Sequence, residues 1–333
     1  MIQSSGAAAE ARPTPAGPGA PGAGPAPAEC VSPALAGVLF VFLDGVGIGP
    51  ADPLRNPFLS ARLPRLRGML GGALPTLDAP EVAAEGAVAF PLDASLGVPG
   101  TPQSGTGQAS LLTGENAARA FGRHFGPWTP VSLRPLVETR SVLRRALEGG
   151  HSALFANAYP DFWPGPRGDR RVAAPPLAAR AAGLLTRHEG ALGRGEAVAS
   201  EITNEGWITH LGHTGLPAVT PAEAGRNLAH LAGTARLTVF AHYATDHAGH
   251  RGGPEGAVAA LERVDAFLGG VLDALPADVL LLITSDHGNI EDLTGGHTLN
   301  PALCVLAGAG AASRRLGLRS LLDVTPAVLR WLG

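Results

Sequence analysis

Six residues of the types that bind divalent metals are spread along the chain: Asp44, Asp246, His250, Asp286, His287 and His297. Aspartate and histidine suit Zn²⁺ or Mn²⁺. Asp246 and His250 are four residues apart, one helical turn, and Asp286 and His287 are adjacent. Six such ligands exceed the three or four that one ion needs, so two divalent ions, Mn²⁺ or Zn²⁺, are expected. A metal pair of this kind clamps the attacking and leaving oxygens of an in-line displacement. A hydroxyl nucleophile is available in Thr101-Pro102-Gln103-Ser104-Gly105-Thr106-Gly107-Gln108, where small residues run into a helical pattern. A hydroxyl at a helix N-terminus lies where backbone N–H groups and the dipole favour phosphate and an ionised oxygen. Ser104 is the first candidate and Thr106 its rival.

The elements that must position these groups can be read from the apolar runs. Val38–Leu43 ends at Asp44, Leu237–Ala241 leads to Asp246, and Val279–Thr284 leads to Asp286. Each reads as a strand buried on both faces. Carboxylates delivered to the carboxyl ends of strands mark the ligand-binding edge of an open α/β sheet. Helical segments fall between the strands. Thr220-Pro221-Ala222-Glu223 opens one helix, the stripe from Val258 to Val271 marks a second, and Thr325-Pro326 is expected to open the last. Alternation of this kind predicts a three-layer α/β fold with a largely parallel sheet. Residues 115–236 carry weak strand signals and are expected to form a small inserted cap between two catalytic segments, 36–114 and 237–333. Residues 1–35, rich in Ala, Pro and Gly, are expected to be a disordered extension.

Composition excludes other classes. Apolar residues make up 45% and charged residues 16%, the balance of a globular protein. A net charge of −3 without a basic cluster leaves no footprint for nucleic acid. All 25 basic residues are arginine, which removes lysine nucleophiles, Schiff bases and P-loop lysines. Cys30 and Cys304 are the only cysteines, so a structural disulfide is not expected, and no run is long enough for a membrane helix. A cytoplasmic protein acting on a small phosphorylated metabolite is the resulting expectation; the oligomeric state is left open.

The order Asp44-Gly45-Val46-Gly47, then Ser104-Gly105-Thr106-Gly107, then Asp246-His247-Ala248-Gly249-His250, then Ser285-Asp286-His287-Gly288-Asn289, then His297-Thr298-Leu299-Asn300-Pro301 resembles the alkaline-phosphatase superfamily. The nearest branch is the cofactor-independent phosphoglycerate mutase and phosphopentomutase group, with a smaller metalloenzyme subgroup similar over Gly105–Ala158. The resemblance implies an alkaline-phosphatase-like fold and a phosphoserine intermediate on Ser104, in a phosphatase or phosphomutase. It also implies one metal held by Asp246, His250 and His297, and another held by Asp44, Asp286, His287 and the Ser104 hydroxyl. Gln108 stands where the mutases usually carry His, and their substrate motifs are absent from 115–236, so the resemblance does not extend to the substrate. The segment Ser104–Gln108 lacks the Cys/Ser-x-Pro-x-Arg pattern of sulfatases. A phosphodiesterase on the same metal pair, or a metal-stabilised binding module without turnover, are the alternatives.

Other residues were weighed against plainer roles. Arg119 and Arg123 follow the nucleophile helix and are candidates to fork onto phosphate, or ordinary surface charges. His242 and His247 read as supporting residues, and His210 and His213 lack a nearby acidic partner in sequence. Glu262 and Asp265 read as the solvated face of their helix, and Cys304 as core. Gly45, Gly47 and Gly49 are expected to let the backbone pass close to a metal or phosphate.

Overall fold

The computed structural model describes Met1 and residues 35–164, 171–308 and 310–333. The expected extension over 1–35, including Cys30, lies almost wholly outside the described residues. From Leu35 onward the chain builds one seven-stranded sheet in the order β2-β3-β7-β6-β1-β5-β4. The strands are β1 (Gly37–Leu43), β2 (Val82–Ala84), β3 (Ala87–Leu92), β4 (Ala153–Phe155), β5 (Leu237–His242), β6 (Val279–Thr284) and β7 (Ala302–Ala307). β4, β5, β1 and β6 are parallel, whereas β7 runs antiparallel to β6, β3 to β7, and β2 to β3.

Every residue of β1, β5, β6 and β7 is buried, because helices cover both faces. Successive β1 side chains alternate between two cores. Val38, Phe40 and Phe42 join one core with residues of the helices Ser104–Thr113, Val142–Glu148, Ala174–Ala181 and Leu321–Leu332. Leu39, Val41 and Leu43 join the other with Pro64–Met69, Pro221–Ala232 and Gly253–Ala274. The three-layer α/β expectation holds, with an antiparallel margin on one side of the sheet.

Parallel register sends the ligand-bearing ends to one edge. Leu43 pairs with His242, and Phe42 with Thr284, so Asp44, Asp246 and Asp286 emerge together. The antiparallel β7 serves the same edge from the other direction, since it begins just after His297, with Cys304 opposite Thr284. β3 runs with β6, and its far end, Leu92 opposite Ala302, feeds the loop that leads to Ser104.

Much of 115–236 is built into this body rather than set over it as a cap. β4 pairs with β5, and Asn157 stitches the two further on, its amide donating to Ala241 O at 2.7 Å and accepting from Ala241 N at 2.8 Å. Leu143, Leu177 and Leu228 are fully packed in the two main cores. Only a satellite cluster around Leu192, Ala197, Trp207 and Leu216 has a small core of its own. Strand β4 was hidden because it spans only Ala153–Phe155 and lacks a long apolar run.

Two local readings change. The last helix starts at Leu321 behind a capping box of Ser320 and Asp323, so Pro326 lies inside it, not at its opening. Asp265 is not on a solvated face. It is 4% exposed and accepts from Arg65 N at 3.1 Å and Leu66 N at 2.8 Å, capping a neighbouring helix whose own cap residue, Leu63, cannot. Glu262 accepts from Arg62 N at the same junction. No helix among the described residues is long and apolar enough to cross a membrane. Asp265→Ala is expected to cost about 1–3 kcal/mol, the loss for a buried cap that leaves two donors unpaired. Urea unfolding followed by circular dichroism measures it, and an unchanged midpoint would contradict the capping role.

Candidate metal centre

At the carboxyl edge of the sheet the six ligand candidates converge. Asp44, Asp286 and His287 form one group and Asp246, His287 and His297 another, with the ligand atoms of each within 4.8 Å of one another. His287 Nε2 is 3.3 Å from Asp44 Oδ1 and 3.6 Å from Asp286 Oδ2, and His297 Nε2 is 3.3 Å from Asp246 Oδ1. Ligand atoms held about 2.1 Å from a tetrahedral ion lie roughly 3.4 Å apart, so these spacings suit one. His250 joins from the rim, its Nε2 3.5 Å from Asp246 Oδ2 and its ring 4.7 Å from that of His297.

The donor set fits cations on a second count. Asp44 Oδ1, Asp286 Oδ2 and His297 Nε2 are buried with no well-formed hydrogen bond among the described residues. Buried polar atoms left unpaired are costly, and a cation would satisfy all three. The imidazoles are turned for the purpose. His287 Nδ1 lies against Gly288 O at 3.2 Å and His297 Nδ1 against Pro102 O at 3.1 Å, which directs each Nε2 into the cluster.

Burial and neighbouring charges set the titration of the cluster. Burial pushes the Asp286 carboxyl well up, and the neighbouring Asp44 charge adds to it. Burial likewise raises Asp44, against the hydrogen bond and charge of His287. Burial opposes a charged His287, yet Asp286 and Asp44 outweigh it and bring the imidazole to about 10. Asp246 goes the other way: despite its burial, His297, His287 and Asn289 hold it at about 2. Asn289 Nδ2 donates to Asp246 Oδ1 at 2.6 Å and so aims the carboxylate.

Ser104 is the first residue of its helix, 3% exposed, with Oγ 2.9 Å from His287 Nε2. Thr106 is elsewhere occupied: its Oγ1 accepts from Phe125 N at 3.1 Å and lies 3.3 Å from Gln103 O. The helix N-terminus is less open to an anion than its sequence suggests, because Thr106 N donates to Phe125 O. Gln108, one turn below Ser104, donates from Nε2 to Asp44 Oδ2 at 3.0 Å and accepts from Ala174 N through Oε1. It thereby leaves Asp44 Oδ1 facing the cluster.

Glu291 escaped the sequence reading although it is fully buried at the centre of the motif loops. Its Oε2 accepts from Gly47 N at 2.9 Å and Asn289 N at 2.7 Å, and its Oε1 from Thr298 Oγ1 at 2.7 Å and Asn300 Nδ2 at 3.0 Å. This corrects the role expected of the glycines. A Cβ on Gly47 would fall 2.6 Å from the Glu291 carboxyl, so Gly47 makes room for Glu291, not for a ligand. Gly45, at φ +66°, does pass a metal-type residue, 2.5 Å from Asp246 Oδ1 by the same measure.

A cleft of about 1120 Å³ opens over Ser104, Asp44, Asp246 and His297. Arg119 and Arg123 are exposed outside it: Arg123 packs over the Phe121 and Phe125 rings and faces an adjoining hollow. The arginines on the cleft itself are Arg171 and Arg251, for which the sequence offered no signal beyond the proximity of Arg251 to His250. His247 is exposed on the rim, while His242 is buried against Ser200 O and held down to about 4 by that burial. His213 finds an acidic partner after all, Glu189, at 3.0 Å. Cys304 is buried in β7.

Two outcomes follow for this centre. Because His287, brought to about 10 by Asp286 and Asp44, holds a proton that a cation must displace, affinity for Mn²⁺ is expected to rise with pH across the neutral range. Titrations of thermal stability at several pH values check this, and Asp286→Ala should abolish the metal-dependent gain; a gain undiminished in that variant would place the ions elsewhere. Glu291→Gln puts amide hydrogens among converging donors and should cost about 2–4 kcal/mol in urea unfolding; a loss under about 0.5 kcal/mol would remove Glu291 as the tie between the loops.

Comparison with known proteins agrees with the geometry. A family model described as the metalloenzyme superfamily matches residues 216–333. The 2,3-bisphosphoglycerate-independent phosphoglycerate mutase of Cereibacter sphaeroides is 34% identical over 127 residues, which is 35% of this chain and 25% of that protein. A mutase of the same description from Methanosarcina acetivorans is 41% identical over 97 residues, 26% of this chain and 18% of that one. The matched segment thus spans about a quarter or less of these relatives. Among solved structures, a protein from Pyrococcus horikoshii aligns with a TM-score of 0.53 at 14% identity, over 90% of this chain and 98% of that one. The alkaline phosphatase of the Antarctic bacterium TAB5 aligns with a TM-score of 0.51 at 12% identity, with the same coverage. Over residues 216–333 the chain is thus similar in sequence to the metalloenzyme superfamily and to phosphoglycerate mutases, and across the described residues its fold is alkaline-phosphatase-like.

Proposed function

We propose that the chain is an enzyme that transfers the phosphoryl group of a small phosphate monoester through Ser104, with two divalent ions, Mn²⁺ or Zn²⁺, as cofactors. The observation that carries this reading is the Ser104 hydroxyl, 2.9 Å from His287 Nε2, at the floor of an open cleft and beside buried carboxylates with unpaired oxygens. Asp246, His250 and His297 would hold one ion; Asp44, Asp286, His287 and Ser104 would hold the other. Bound there, the ions would lower the pKa of the serine hydroxyl and offset the charge that develops on the phosphoryl oxygens.

The chain's own residues account for the rest. The rigid start of the Ser104–Thr113 helix fixes Oγ in one direction. Gln108 and Asn289 hold Asp44 and Asp246 in place while charge builds at the reacting centre. Ser104 Oγ gives up its proton to the solvent and forms a bond to phosphorus as the ester P–O bond breaks. The alcohol then leaves carrying a proton. Transfer of the phosphoryl group from Ser104 to water completes a phosphatase cycle, and transfer to a second substrate hydroxyl completes a mutase cycle. Thr106 takes no part, since its hydroxyl is engaged with backbone groups of Phe125 and Gln103.

Phosphate release from a panel of phosphate esters, assayed with Mn²⁺ and with Zn²⁺, tests the reading. Ser104→Ala should lower kcat at least about 10³-fold, the scale for loss of an essential nucleophile. Thr106→Val should leave it within about tenfold. A phosphorylated Ser104 seen by intact-mass measurement, without phosphate release, would identify the mutase outcome; release that survives Ser104→Ala would exclude the serine mechanism.

A further inference from the structure

The chain is poor in large aromatic residues, with four Trp and two Tyr among 333 residues. Yet both tyrosines and two of the tryptophans, Tyr159, Tyr243, Trp128 and Trp163, line the one cleft above Ser104. Tyr159, Trp163 and Tyr243 pack against the main core from one side and line the cleft from the other. Trp128 is 38% exposed, and Tyr159, Trp163 and Tyr243 are half-buried. In the two main cores the fully buried aromatics are phenylalanines, while Trp207 sits in the satellite core.

The rings form a braced wall. Tyr159 stacks on buried Phe155, centroids 6.2 Å apart and planes 24° from parallel, and Trp163 leans on Tyr159 at 4.8 Å. Tyr243 packs edge-on against Phe42 at 6.3 Å. Rings fixed from behind present their faces at little entropic cost. The buried Tyr243 hydroxyl lies beside that of Tyr159, which ties the two rings of the wall to each other. Arg171 and Arg251, both exposed, add positive charge at the cleft. A cleft of about 1120 Å³ also has the size that surrounds a drug-sized ligand, several times more than a three-carbon acid fills.

We propose that this wall is a binding site for a flat aromatic ring, and that the substrate is a phosphate ester of a ring-bearing alcohol, an aryl or nucleoside phosphate, not a phosphorylated three-carbon acid. The substrate class rests on the phosphoryl-transfer reading above; the ring site does not. With the phosphate at Ser104, the ring lies against Tyr159 and Trp163, and Trp128 closes the side nearest the nucleophile helix.

Two measurements on the metal-loaded full chain test this. The first compares kcat/KM for phenyl phosphate and uridine 5′-monophosphate with that for 3-phosphoglycerate and glycerol 2-phosphate. Ring stacking is worth a factor of roughly 5–150 in affinity, so the ring-bearing esters should lead by at least about tenfold. Tyr159→Ala and Trp163→Ala should each raise their KM by about five- to fiftyfold while leaving glycerol 2-phosphate unchanged. The second measures binding of phenylphosphonate and methylphosphonate, which are not turned over, by tryptophan fluorescence of the unmodified chain. A tenfold preference for phenylphosphonate supports the ring site even if no ester is hydrolysed, in which case only the catalytic reading fails. Equal binding of the two phosphonates, or turnover led by 3-phosphoglycerate, overturns the proposal whatever the fate of the catalytic reading.

Discussion

The metal centre depends on one buried carboxylate that would not itself bind metal. Glu291 gathers donors from the loop after β1, from the loop after β6 and from the turn before β7, and each of these loops carries a ligand candidate. A carboxylate has two oxygens and about four acceptor directions, and here four donors use them. Removing any one loop would leave charge poorly satisfied in a site sealed from water, so the loops hold their relative positions together. The glycine at 47 and the small turn at Gly288 follow from this, since both lie within the space the Glu291 side chain fills.

Around that tie the centre is arranged as a frustrated cluster. Three carboxylates and three imidazoles occupy a space where like charges repel, and the fold aims their lone pairs at one another instead of burying them in hydrogen bonds. A charged His287, favoured by Asp286 and Asp44, offsets part of the repulsion between the carboxylates. The same arrangement explains why the sheet is mixed. A parallel strand in the place of β7 would need a crossover and would deliver His297 to the far edge, whereas an antiparallel strand starts where the ligand is needed.

The fold class and the meeting of the ligand candidates at one sheet edge were legible in the sequence for a common reason. Strands buried on both faces must be continuous apolar runs, and a group at the end of such a run has only one place to go. Asp44, Asp246 and Asp286 were therefore readable as a set, and Ser104 as the hydroxyl beside them. What escaped notice depends on contacts between distant segments. Nothing in the sequence near Asp265 distinguishes a solvated acid from one that caps a helix 200 residues away. Strand β4 is three residues long and is held by its neighbour, and its sequence alone does not mark it. Arg119 and Arg123 were close to the nucleophile in sequence only; Arg119 is exposed on the short helix Ala117–Phe121, and Arg123, past the turn at Gly122, faces another hollow.

The ligand candidates stretch from residue 44 to residue 297, but the two groups draw on that span differently: Asp246, His287 and His297 lie within about fifty residues of one another, whereas Asp44 reaches Asp286 and His287 from the far end of the sequence. During synthesis an ion would meet at most local pairs, Asp246 with His250 on one helical turn and Asp286 with the adjacent His287. The Asp44 group does not exist until β1 has been joined by β6, which comes late in the chain. Coordination at Asp44 would therefore follow assembly of the sheet, so that apolar packing and not the ion would have to bring these strands together.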